Sequence, residues 1–530
     1  MPAIRSTLST AAALLVASSS AFPISPFEPA SSSLLTRADG NATVSSSLQS
    51  CLSKTGVELS YPDADSFSTL DTQQNAALPP RKPGVFAIPS DETGVAAVVK
   101  CVSAENGSQK ISPRSGGHSY TGYTLGSEDG WVVVDLKKLN AIDTNKDAKT
   151  AKVGAGSKLG PMAAALAKDG FALPHGTCPT VGTGGHGLGG GYGLTSYQWG
   201  FLMDHISSMR LVKPDGTIVT VNADEEQDLW WALRGAGSNN FGIVTEFTYT
   251  LEDAPKNVVN YAHQFKTNDD CTKAFLAMQD LTTAESADAG WSKNIGGELL
   301  ITGDTGIGYS CALSGQFLGT KDEYKKAMKL YNDACSARGV TASSVSAKEF
   351  TSWADALTDI MGKLDTTTVA PEAYYAKSLV TPSDVRYDST SFGTVMSAIQ
   401  DAKDYGTSLS YAFLGPHSAP NQVPMNASSY VHRDSLYLSQ LYSYNFPKNN
   451  DNGGQDATYA AFDKIIDAAQ AVKPDAKWAG YVNYVDNQLL VKIFDWGHFY
   501  YGSAVDRLQE IKNKVDPNMV FDFPMGIAHA

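Results

Sequence analysis

The chain has 530 residues and a formal net charge of -14 at pH 7. At about 100–200 residues per domain, this length indicates two or more domains. Because contact with a phosphate backbone needs a basic surface, the acidic balance excludes nucleic acid as an expected partner.

The N-terminus has the three-part pattern of a secretory signal peptide, which we assign to residues 1–21. Arg5 precedes an apolar run over residues 11–17, and small residues follow. The run is too short to cross a bilayer, so we expect a secreted, extracellular protein without a membrane anchor. A disordered tail is the alternative. Residues 22–47 are rich in Ser, Pro and Ala and are interpreted as a leader or linker. Three triplets are consistent with glycosylation, at Asn41, Asn106 and Asn426.

Six cysteines would be able to form disulfides outside the cell. We expect Cys51 to pair with Cys101, since both lie early in the first predicted domain. The arrangement of Cys271, Cys311 and Cys335 stays open. The spacings typical of zinc sites do not occur in the sequence, so no metal is predicted.

Residues 48–255 alternate short β-rich runs with helices and glycine turns, and we interpret them as a first domain. The turn Pro214-Asp215-Gly216 between two apolar runs predicts a hairpin. The predicted elements are strands over Gly130–Leu136 and Ala151–Gly154, a helix over Leu159–Ala167 and the hairpin over Met209–Val221.

Residues 256–490 have longer helical windows interleaved with strands, which predicts a second domain. Its predicted elements include helices over Lys321–Ala337 and Thr458–Val472 and a strand over Gly297–Ile301. Residues 491–530 combine a predicted helix over about Ser503–Val515, a stop at Asp516-Pro517-Asn518 and a short apolar strand that ends near Phe523.

Two glycine-rich loops of the first domain carry side chains that can bond covalently to a flavin. The loop Pro113–Tyr120 contains His118, and the loop His175–Gly193 contains Cys178. Glycine lets the backbone approach a ligand closely and adopt positive φ, so successive amides can converge on a pyrophosphate without lysines. This suits an acidic protein that holds an anionic dinucleotide. A flexible linker is the alternative, but linkers do not place Arg, His, Cys and Tyr at fixed points.

These loops resemble those of the secreted FAD-linked oxidases of the vanillyl-alcohol oxidase fold, in the berberine-bridge-enzyme branch that includes fungal gluco-oligosaccharide (carbohydrate) oxidases. The resemblance spans about residues 48–527 and also rests on the segments Asp228–Thr245, Tyr481–Asp486, Tyr500–Gly502 and Asp516–Asn518. It implies an α+β fold with a two-part FAD-binding domain over 48–255. A substrate domain over 256–490 would have an antiparallel sheet covered by helices, and 491–530 would return to the FAD domain. We expect a monomer.

The resemblance further implies bicovalent FAD, with His118 joined to the 8α carbon and Cys178 to C6 of the ring. A neutral imidazole and a thiolate are suitable nucleophiles for these positions. If Cys178 binds flavin, an odd number of cysteines remains and at least one thiol should be free. Val181 matches a position where small side chains accompany oxygen access, which favours an oxidase. The implied FAD contacts are Arg114, Ser115, Gly116, Gly117, Ser119, Val181, Gly182, Gly184, Gly185, His186, Gly189, Ile243 and Val244. An ordinary surface histidine and a buried or disulfide-bonded cysteine are the alternatives for the two attachment residues.

Alcohol oxidation requires a base for the hydroxyl proton and a hydride acceptor, which would be N5 of the flavin. Family position selects Tyr484 as the base, with Tyr120 and Asp486 as further catalytic candidates. An extended Tyr481–Asp486 segment would place Tyr484 and Asp486 on one face. A tyrosine titrates near pH 10, so a base at neutral pH needs about 4 kcal/mol of phenolate stabilisation. A core tyrosine bonded to backbone is the alternative.

The substrate side is implied by Tyr120 and Tyr192, which match positions that line the site in the oligosaccharide oxidases. Those enzymes place an acidic residue on a nearby strand, whereas this sequence has Leu409–Leu414 there, without a carboxylate. Tyr411 and Gln440 are possible substitutes.

The predicted function is therefore a secreted oxidase that takes a hydride from an alcohol carbon, and we expect this carbon to be C1 of a mono- or oligosaccharide. The products would be a lactone and, after reoxidation by O2, hydrogen peroxide. The alternatives are an oxidase or oxidative cyclase of an aromatic or secondary-metabolite alcohol, and a flavin-bearing protein without turnover.

Overall fold

The computed structural model describes residues 43–529 apart from residues 304, 369, 451–452 and 493–494. Three predicted features lie outside the described residues. They are the signal peptide, most of the leader, and the first two residues of the glycosylation triplet at Asn41. Within the described part of the chain, no helix combines the length and apolar character that a bilayer span requires.

The first lobe contains two main sheets and a two-stranded ribbon. Its strands are β1 (Glu58–Ser60), β2 (Val85–Ile88), β3 (Ile111–Arg114), β4 (Val132–Asp135), β5 (Ile142–Asn145), β6 (Thr150–Gly154), β7 (Phe171–Ala172), β8 (Ile206–Val212), β9 (Ile218–Val221), β10 (Ile243–Thr250) and β11 (Glu252–Asp253). One sheet has the order β1-β2-β4-β3, in which β2, β4 and β3 are parallel. The other is antiparallel with the order β5-β6-β10-β8-β9, and β7 pairs with β11.

Short helices connect and cover these sheets. They are α1 (Ser46–Leu52), α2 (Phe67–Leu70), α3 (Glu92–Ser103), α4 (Leu159–Asp169), α5 (Thr183–Leu188), α6 (Ser196–Trp199) and α7 (Gln227–Ala236), with 3-10 turns over Tyr123–Leu125 and Leu202–His205. The first residues of α3 show why a helix begins there. The Asp91 carboxylate accepts a hydrogen bond from the amide of Gly94 at 2.8 Å and so satisfies a donor that the first turn leaves unpaired.

The second lobe is built on one seven-stranded antiparallel sheet with the order β15-β12-β14-β13-β17-β18-β16. Its strands are β12 (Val258–Phe265), β13 (Ile295–Thr302), β14 (Cys311–Leu318), β15 (Ser344–Phe350), β16 (Tyr375–Pro382), β17 (Thr407–Phe413) and β18 (Ser435–Ser443). Its helices are α8 (Asn268–Thr282), α9 (Lys321–Ala327), α10 (Lys329–Ala337), α11 (Trp353–Met361), α12 (Ser389–Asp401), α13 (Ala419–Gln422) and α14 (Gly454–Gln470). Short 3-10 turns lie over Ala287–Ala289, Thr305–Ile307 and Lys403–Tyr405.

The two faces of this sheet have different partners, because successive side chains of a strand point to opposite faces. On β17, Leu409, Tyr411 and Phe413 belong to the core that α8, α12 and α14 cover. Ala412 belongs instead to the core of the first lobe. The face that carries Ala412 therefore packs against the first lobe, and this is the face that can reach a site between the lobes.

The C-terminal elements are the 3-10 turn Val482–Tyr484, α15 (Leu489–Lys492), α16 (Trp496–Tyr501), the 3-10 turn Gly502–Ala504 and α17 (Val505–Val515). Leu508 and Ile511 of α17 lie in the core of the first lobe. The chain thus crosses from the first lobe to the second and back again.

The predicted α+β fold, with its helix-covered antiparallel sheet, is confirmed. The predicted hairpin is formed by β8 and β9, which pair from Met209 opposite Val221 to Val212 opposite Ile218. The predicted helix over Lys321–Ala337 is two helices that meet at Met328. The predicted disulfide between Cys51 and Cys101 is confirmed, and Cys271 pairs with Cys311. Cys178 and the buried Cys335 remain as free thiols.

The predicted apolar strand near the C-terminus is wrong, and a buried ion pair explains why. Lys512 and Asp516 are both fully buried, and Lys512 Nζ lies 2.7 Å from Asp516 Oδ2. The Asp516 carboxylate accepts hydrogen bonds from the amides of Val520 at 2.8 Å and Phe521 at 2.9 Å. These amides are satisfied by a side chain and form no strand pairing. Lys512 Nζ also donates to the carbonyl of Asn240 at 2.7 Å, which ties this segment to the first lobe.

We expect Lys512→Met to destabilise the protein by about 3–5 kcal/mol, because it leaves the buried Asp516 carboxylate without its cation. The measurement is urea unfolding followed by tryptophan fluorescence. Lys514→Met is the matched control on the same helix, since Lys514 is 68% exposed and lies 3.9 Å from Asp228. The control should cost less than about 1 kcal/mol. Equal losses in the two variants would contradict the structural role of the buried pair.

Candidate active site

A cavity of about 430 Å³ lies between the lobes. This size is within the usual range for small-molecule sites. Both glycine loops line it from the first lobe, and strands of the seven-stranded sheet line it from the second. The sequence-predicted residues that line it are Ser115, Gly116, Gly117, His118, Ser119, Tyr120, Cys178, Val181, Gly182, Gly184, Gly185, His186, Tyr192, Ile243, Val244, Gln440 and Tyr484.

The two glycine loops touch through their backbones. A Cβ atom on Gly116 would lie 2.2 Å from the amide nitrogen of Gly182, and one on Gly182 would lie 2.1 Å from that of Gly116. Side chains at these two positions are therefore sterically excluded. The contact brings the loop of His118 against the loop of Cys178.

A hydroxyl group lies within hydrogen-bond distance of both His118 and Cys178. Oγ1 of Thr180 lies 2.9 Å from Nε2 of His118 and 3.4 Å from Sγ of Cys178. Burial, aided by the positive charge of Lys158, lowers the pKa of His118 to about 4. The imidazole is therefore neutral at neutral pH, which is its nucleophilic form.

The second glycine loop is held from the C-terminal side by Tyr481. The hydroxyl oxygen of Tyr481 accepts hydrogen bonds from the amides of Gly191 at 2.7 Å and Tyr192 at 3.2 Å. Nδ2 of Asn483 donates to the same oxygen at 3.0 Å. A Cβ atom on Gly189 would lie 2.0 Å from Oδ1 of Asn483. Gly189 packs against Asn483 and does not line the cavity, so its contact with the cofactor stays a prediction.

The predicted FAD contact Arg114 lies behind the loop and not in the cavity lining. Its guanidinium donates to the backbone carbonyls of Leu70 and Thr72, the latter at 3.3 Å. A Cβ atom on Gly117 would lie 3.1 Å from Nε of Arg114. Arg114 therefore supports the first glycine loop, and its direct contact with FAD stays a prediction.

The segment Tyr481–Asp486 is not extended as predicted. It forms a 3-10 turn over Val482–Tyr484, closed by a hydrogen bond from the amide of Tyr484 to the carbonyl of Tyr481 at 2.9 Å. The two tyrosine rings meet edge to face at 4.8 Å. Tyr481 is in the core, whereas Tyr484 lines the cavity and stacks on Tyr120 with ring centres 5.6 Å apart.

Asp486, a predicted catalytic residue, is not in the cavity lining. The turn directs its carboxylate into the second lobe, where Nζ of Lys377 lies 3.2 Å from Oδ2. The hydroxyl of Tyr375 donates to Oδ1 at 3.0 Å. The amide of Asp486 donates to the hydroxyl oxygen of the cavity residue Tyr500 at 3.0 Å. Asp486 therefore anchors the turn that carries Tyr484.

Tyr411, a predicted substrate contact, does not line the cavity. It is fully buried between Phe275 and Phe392 on the helix-covered face of the sheet. The neighbouring Ser410 faces the other way, and its hydroxyl donates to Oε2 of Glu298 at 3.3 Å. An error of one position in the alternation of a strand exchanges its two faces.

Glu298 on β13 is the carboxylate that the sequence reasoning missed. It lines the cavity and is 6% exposed. Burial raises the pKa of Glu298 to about 7, opposed by the hydrogen bond from Ser410. A lone acidic residue in the apolar run Gly297-Glu298-Leu299-Leu300-Ile301 was the signal available in the sequence. Such a residue needs a special reason to be buried.

Aromatic side chains that were not predicted extend the cavity wall. Tyr374 meets Tyr120 edge to face at 5.5 Å and stacks on Tyr442 at 5.1 Å. Nε2 of Gln440 donates to the hydroxyl oxygen of Tyr120 at 3.3 Å. The wall thus presents flat aromatic faces beside polar groups.

The cavity disfavours a phenolate on Tyr484. Burial raises the pKa of Tyr484 well above 10, and the neighbouring Tyr120, Tyr481, Tyr192 and Glu298 raise it further. A charged Glu298 and a charged Tyr484 would repel each other across the same cavity. The site therefore favours a single negative charge over two.

The lining fits an FAD molecule. A side chain at Gly185 would meet no atom within 4 Å, so this part of the loop borders open space. Ile243, Val244 and Leu188 give apolar surface for a ring, and the loop amides give donors for phosphates. His118 and Cys178 supply two nucleophiles. Among the described residues, no group of three or more His, Cys, Asp or Glu side chains is arranged to hold a metal ion.

Two protein-family models match the chain. The model described as an FAD binding domain matches residues 83–222, and the model described as berberine and berberine like matches residues 480–528. The xylooligosaccharide oxidase of Thermothelomyces thermophilus is 31% identical over 498 residues, which cover 91% of this chain and 94% of that protein. The chitooligosaccharide oxidase of Gibberella zeae is 31% identical over 494 residues, with 91% and 94% covered.

Solved structures of similar proteins have the same fold. The xylooligosaccharide oxidase from Myceliophthora thermophila C1 in complex with xylobiose superimposes with a TM-score of 0.82 at 30% identity, covering 92% of this chain and 100% of that one. The glucooligosaccharide oxidase from Acremonium strictum, studied for its 6-S-cysteinyl, 8α-N1-histidyl FAD, has a TM-score of 0.82 at 27% identity, with 91% and 99% covered.

We expect Gly116→Ala to separate the two glycine loops, because its Cβ would overlap the Gly182 amide. Covalently bound flavin, measured by absorbance after acid precipitation, should fall at least about tenfold, and thermal stability should drop by several degrees. Gly393→Ala is the control, since a Cβ at this position in α12 meets no atom within 4 Å. It should keep the flavin and leave stability equal or slightly higher. Full flavin retention in Gly116→Ala would contradict the loop contact.

Proposed function

Since the chain belongs to the family of FAD-linked oligosaccharide oxidases and berberine-bridge-like proteins, we propose that it oxidises C1 of a mono- or oligosaccharide. It is an FAD-dependent oxidoreductase that acts on CH–OH groups with oxygen as acceptor. The proposed products are a lactone and hydrogen peroxide. Secretion is proposed from the N-terminal signal pattern and is consistent with two disulfides.

The chemistry of the cavity wall carries the substrate proposal. Tyr120, Tyr192, Tyr374 and Tyr442 offer flat apolar faces that suit the C–H face of a sugar ring. Gln440 and Glu298 offer hydrogen-bonding groups for its hydroxyls. Lys and Arg do not occur among the described lining residues, so nothing there would balance an anionic substrate. This combination favours a neutral polyhydroxylated substrate.

The proposed cofactor is FAD joined through His118 and Cys178, as the glucooligosaccharide oxidase from Acremonium strictum is described to hold it. When bound, FAD supplies a hydride acceptor at N5 and returns the electrons to oxygen. The chain's own contribution is to fix the ring at its dimethylbenzene edge. Ser115, Ser119, Gly184 and Gly185 would contact the rest of the cofactor. Val181 beside Cys178 is a small side chain and is proposed to leave room for oxygen.

Proton removal is proposed to involve Tyr484 and Glu298 together. Tyr484 would accept the proton of the substrate hydroxyl while its own phenolic proton moves toward Glu298. A resting phenolate is disfavoured, since burial and neighbouring groups raise the pKa of Tyr484 well above 10. Glu298 has a pKa of about 7 and is therefore the member of the pair that can hold the proton at neutral pH.

The proposed function is tested by anaerobic flavin reduction and aerobic peroxide release across a panel of substrates. We expect xylo-, cello-, malto- or chito-oligosaccharides to bleach the flavin and aromatic alcohols to leave it oxidised. Glucuronic acid should react more slowly than glucose, because the wall holds carboxylates and no cation among its described residues. Bleaching by an aromatic alcohol alone would establish the secondary-metabolite alternative. A flavin that no compound reduces would indicate a protein without turnover.

We expect the rate constant of flavin reduction to rise with pH through about 7, because ionised Glu298 is the proton-accepting form. Below that pH the rate should fall about tenfold per unit, the slope of a single ionisation. Stopped-flow reduction between pH 5 and 9 measures it. Glu298→Gln should remove this dependence and slow reduction by about 10²–10⁴-fold. Tyr459→Phe, a tyrosine outside the lining, is the control and should keep the wild-type profile. An unchanged profile in Glu298→Gln would contradict the assignment.

A further inference from the structure

Thr180 lies between the two side chains that are proposed to attach FAD. Its Oγ1 is 2.9 Å from Nε2 of His118 and 3.4 Å from Sγ of Cys178. The residue is 2% exposed and lies behind the cavity lining, so it does not face the substrate. A hydroxyl has one proton to donate and lone pairs to accept with. It can therefore donate to only one of its two neighbours.

We propose that Thr180 is a positioning residue for flavin attachment: its hydroxyl accepts the Nε2 proton of His118 and donates its own proton to Sγ of Cys178. One hydroxyl then prepares both nucleophiles. This inference rests on the bicovalent attachment proposed above.

The direction of the bond to His118 decides which ring nitrogen can react. With the proton on Nε2 and held by Thr180, the lone pair of the neutral ring is on Nδ1. Burial and the charge of Lys158 lower the pKa of His118 to about 4, so the ring carries only one N–H at neutral pH. The opposite direction would place the proton on Nδ1 and the lone pair on Nε2, where the Thr180 hydroxyl already occupies it.

The same hydroxyl acts on Cys178. A hydrogen bond donated to sulfur stabilises the thiolate more than the thiol, so it favours the nucleophilic form. The thiol proton leaves to solvent. The opposite direction, in which the thiol donates to Thr180 and Thr180 donates to His118, leaves both groups in their unreactive forms. The proposed direction is the one that makes both reactive at once.

Each attachment is a two-electron oxidation that consumes one molecule of oxygen. His118 replaces a C–H bond at the 8α carbon with a C–N bond, and Cys178 replaces the C–H bond at C6 with a C–S bond. In each case one hydrogen leaves carbon and one proton leaves the nucleophile, and two electrons remain on the flavin. Oxygen, the acceptor of this enzyme class, takes up the two electrons and two protons as hydrogen peroxide.

The test compares Thr180→Val, which removes the hydroxyl at nearly constant shape, with Thr180→Ser, which keeps it. Cells that express the full chain receive a pulse of labelled riboflavin. At intervals the protein is purified and denatured in acid, and flavin on the His118 and Cys178 peptides is quantified by mass spectrometry. We expect Thr180→Val to slow attachment at both residues about tenfold or more, as expected for loss of a hydrogen bond to a reactive group. Thr180→Ser should restore rates to within about threefold of wild type.

Thr183→Val is the matched control for packing. Thr183 is also fully buried beside the loop, but its hydroxyl donates to the carbonyls of Gly154 at 3.3 Å and Ser157 at 3.1 Å. It should lower thermal stability without a selective loss of attachment. If Thr180→Val does not fold, Thr180→Ala removes the same hydroxyl with a smaller side chain and is measured in the same way. If neither folds, slow attachment in Thr180→Ser overturns the proposal and wild-type attachment supports it.

Wild-type rates at both residues in Thr180→Val would overturn the proposal while leaving bicovalent attachment intact. A wild-type protein that releases all its flavin in acid would instead overturn the attachment itself. Loss of attachment at only one residue in Thr180→Val would also overturn the proposed role of Thr180, since its hydroxyl would then serve one nucleophile and not both.

Discussion

The Tyr481 hydroxyl accepts three hydrogen bonds, two from amides of the second glycine loop and one from Asn483. The backbone of the same residue is bonded to Ser378 on β16, through its amide at 2.8 Å. Its ring supports Tyr484 edge to face. One side chain therefore links the cofactor loop of the first lobe, the sheet of the second lobe and the turn that carries the proposed base. Displacement of any one of these three elements would therefore also move the other two.

Much of this arrangement was accessible from the sequence. Fixed His, Cys and Tyr positions in glycine loops identify a cofactor site, and the first disulfide followed from cysteine order. The turn at Tyr481–Asp486 was missed, because six residues with a period of three (Tyr-Val-Asn-Tyr-Val-Asp) are too few to distinguish a helical turn from a strand. Nothing in the local sequence reveals the 2.9 Å bond from Tyr484 to Tyr481 that winds it. Likewise, Glu298 reaches the site from the strand that neighbours β17, and such cross-strand proximity depends on sheet order rather than on any local pattern.

Strand β17 carries no acidic residue, and the Glu298 carboxylate reaches the cavity from the paired strand β13. The Ser410 hydroxyl of β17 donates a hydrogen bond to this carboxylate. Because this carboxylate and the Tyr484 phenol share a buried cavity, their ionisations oppose each other. Asp486, by contrast, forms an ion pair with Lys377, and this pair anchors the turn. Two acidic residues near one tyrosine thus do different work because only one of them has a cation beside it.

The C-terminal return to the first lobe also constrains the order in which the protein can be made. Both glycine loops lie in the first half of the chain, but Tyr481 and Asn483 hold the second loop, and the buried Lys512–Asp516 pair holds the Asn240 segment of the first lobe. Even Ile527 is bonded to the first lobe, through Oδ1 of Asn240 at 2.8 Å. During synthesis the loops emerge long before these partners, so the site cannot be completed until the C-terminal segment has been synthesised. A ribosome that stops early would release a chain with both nucleophiles and no finished cradle.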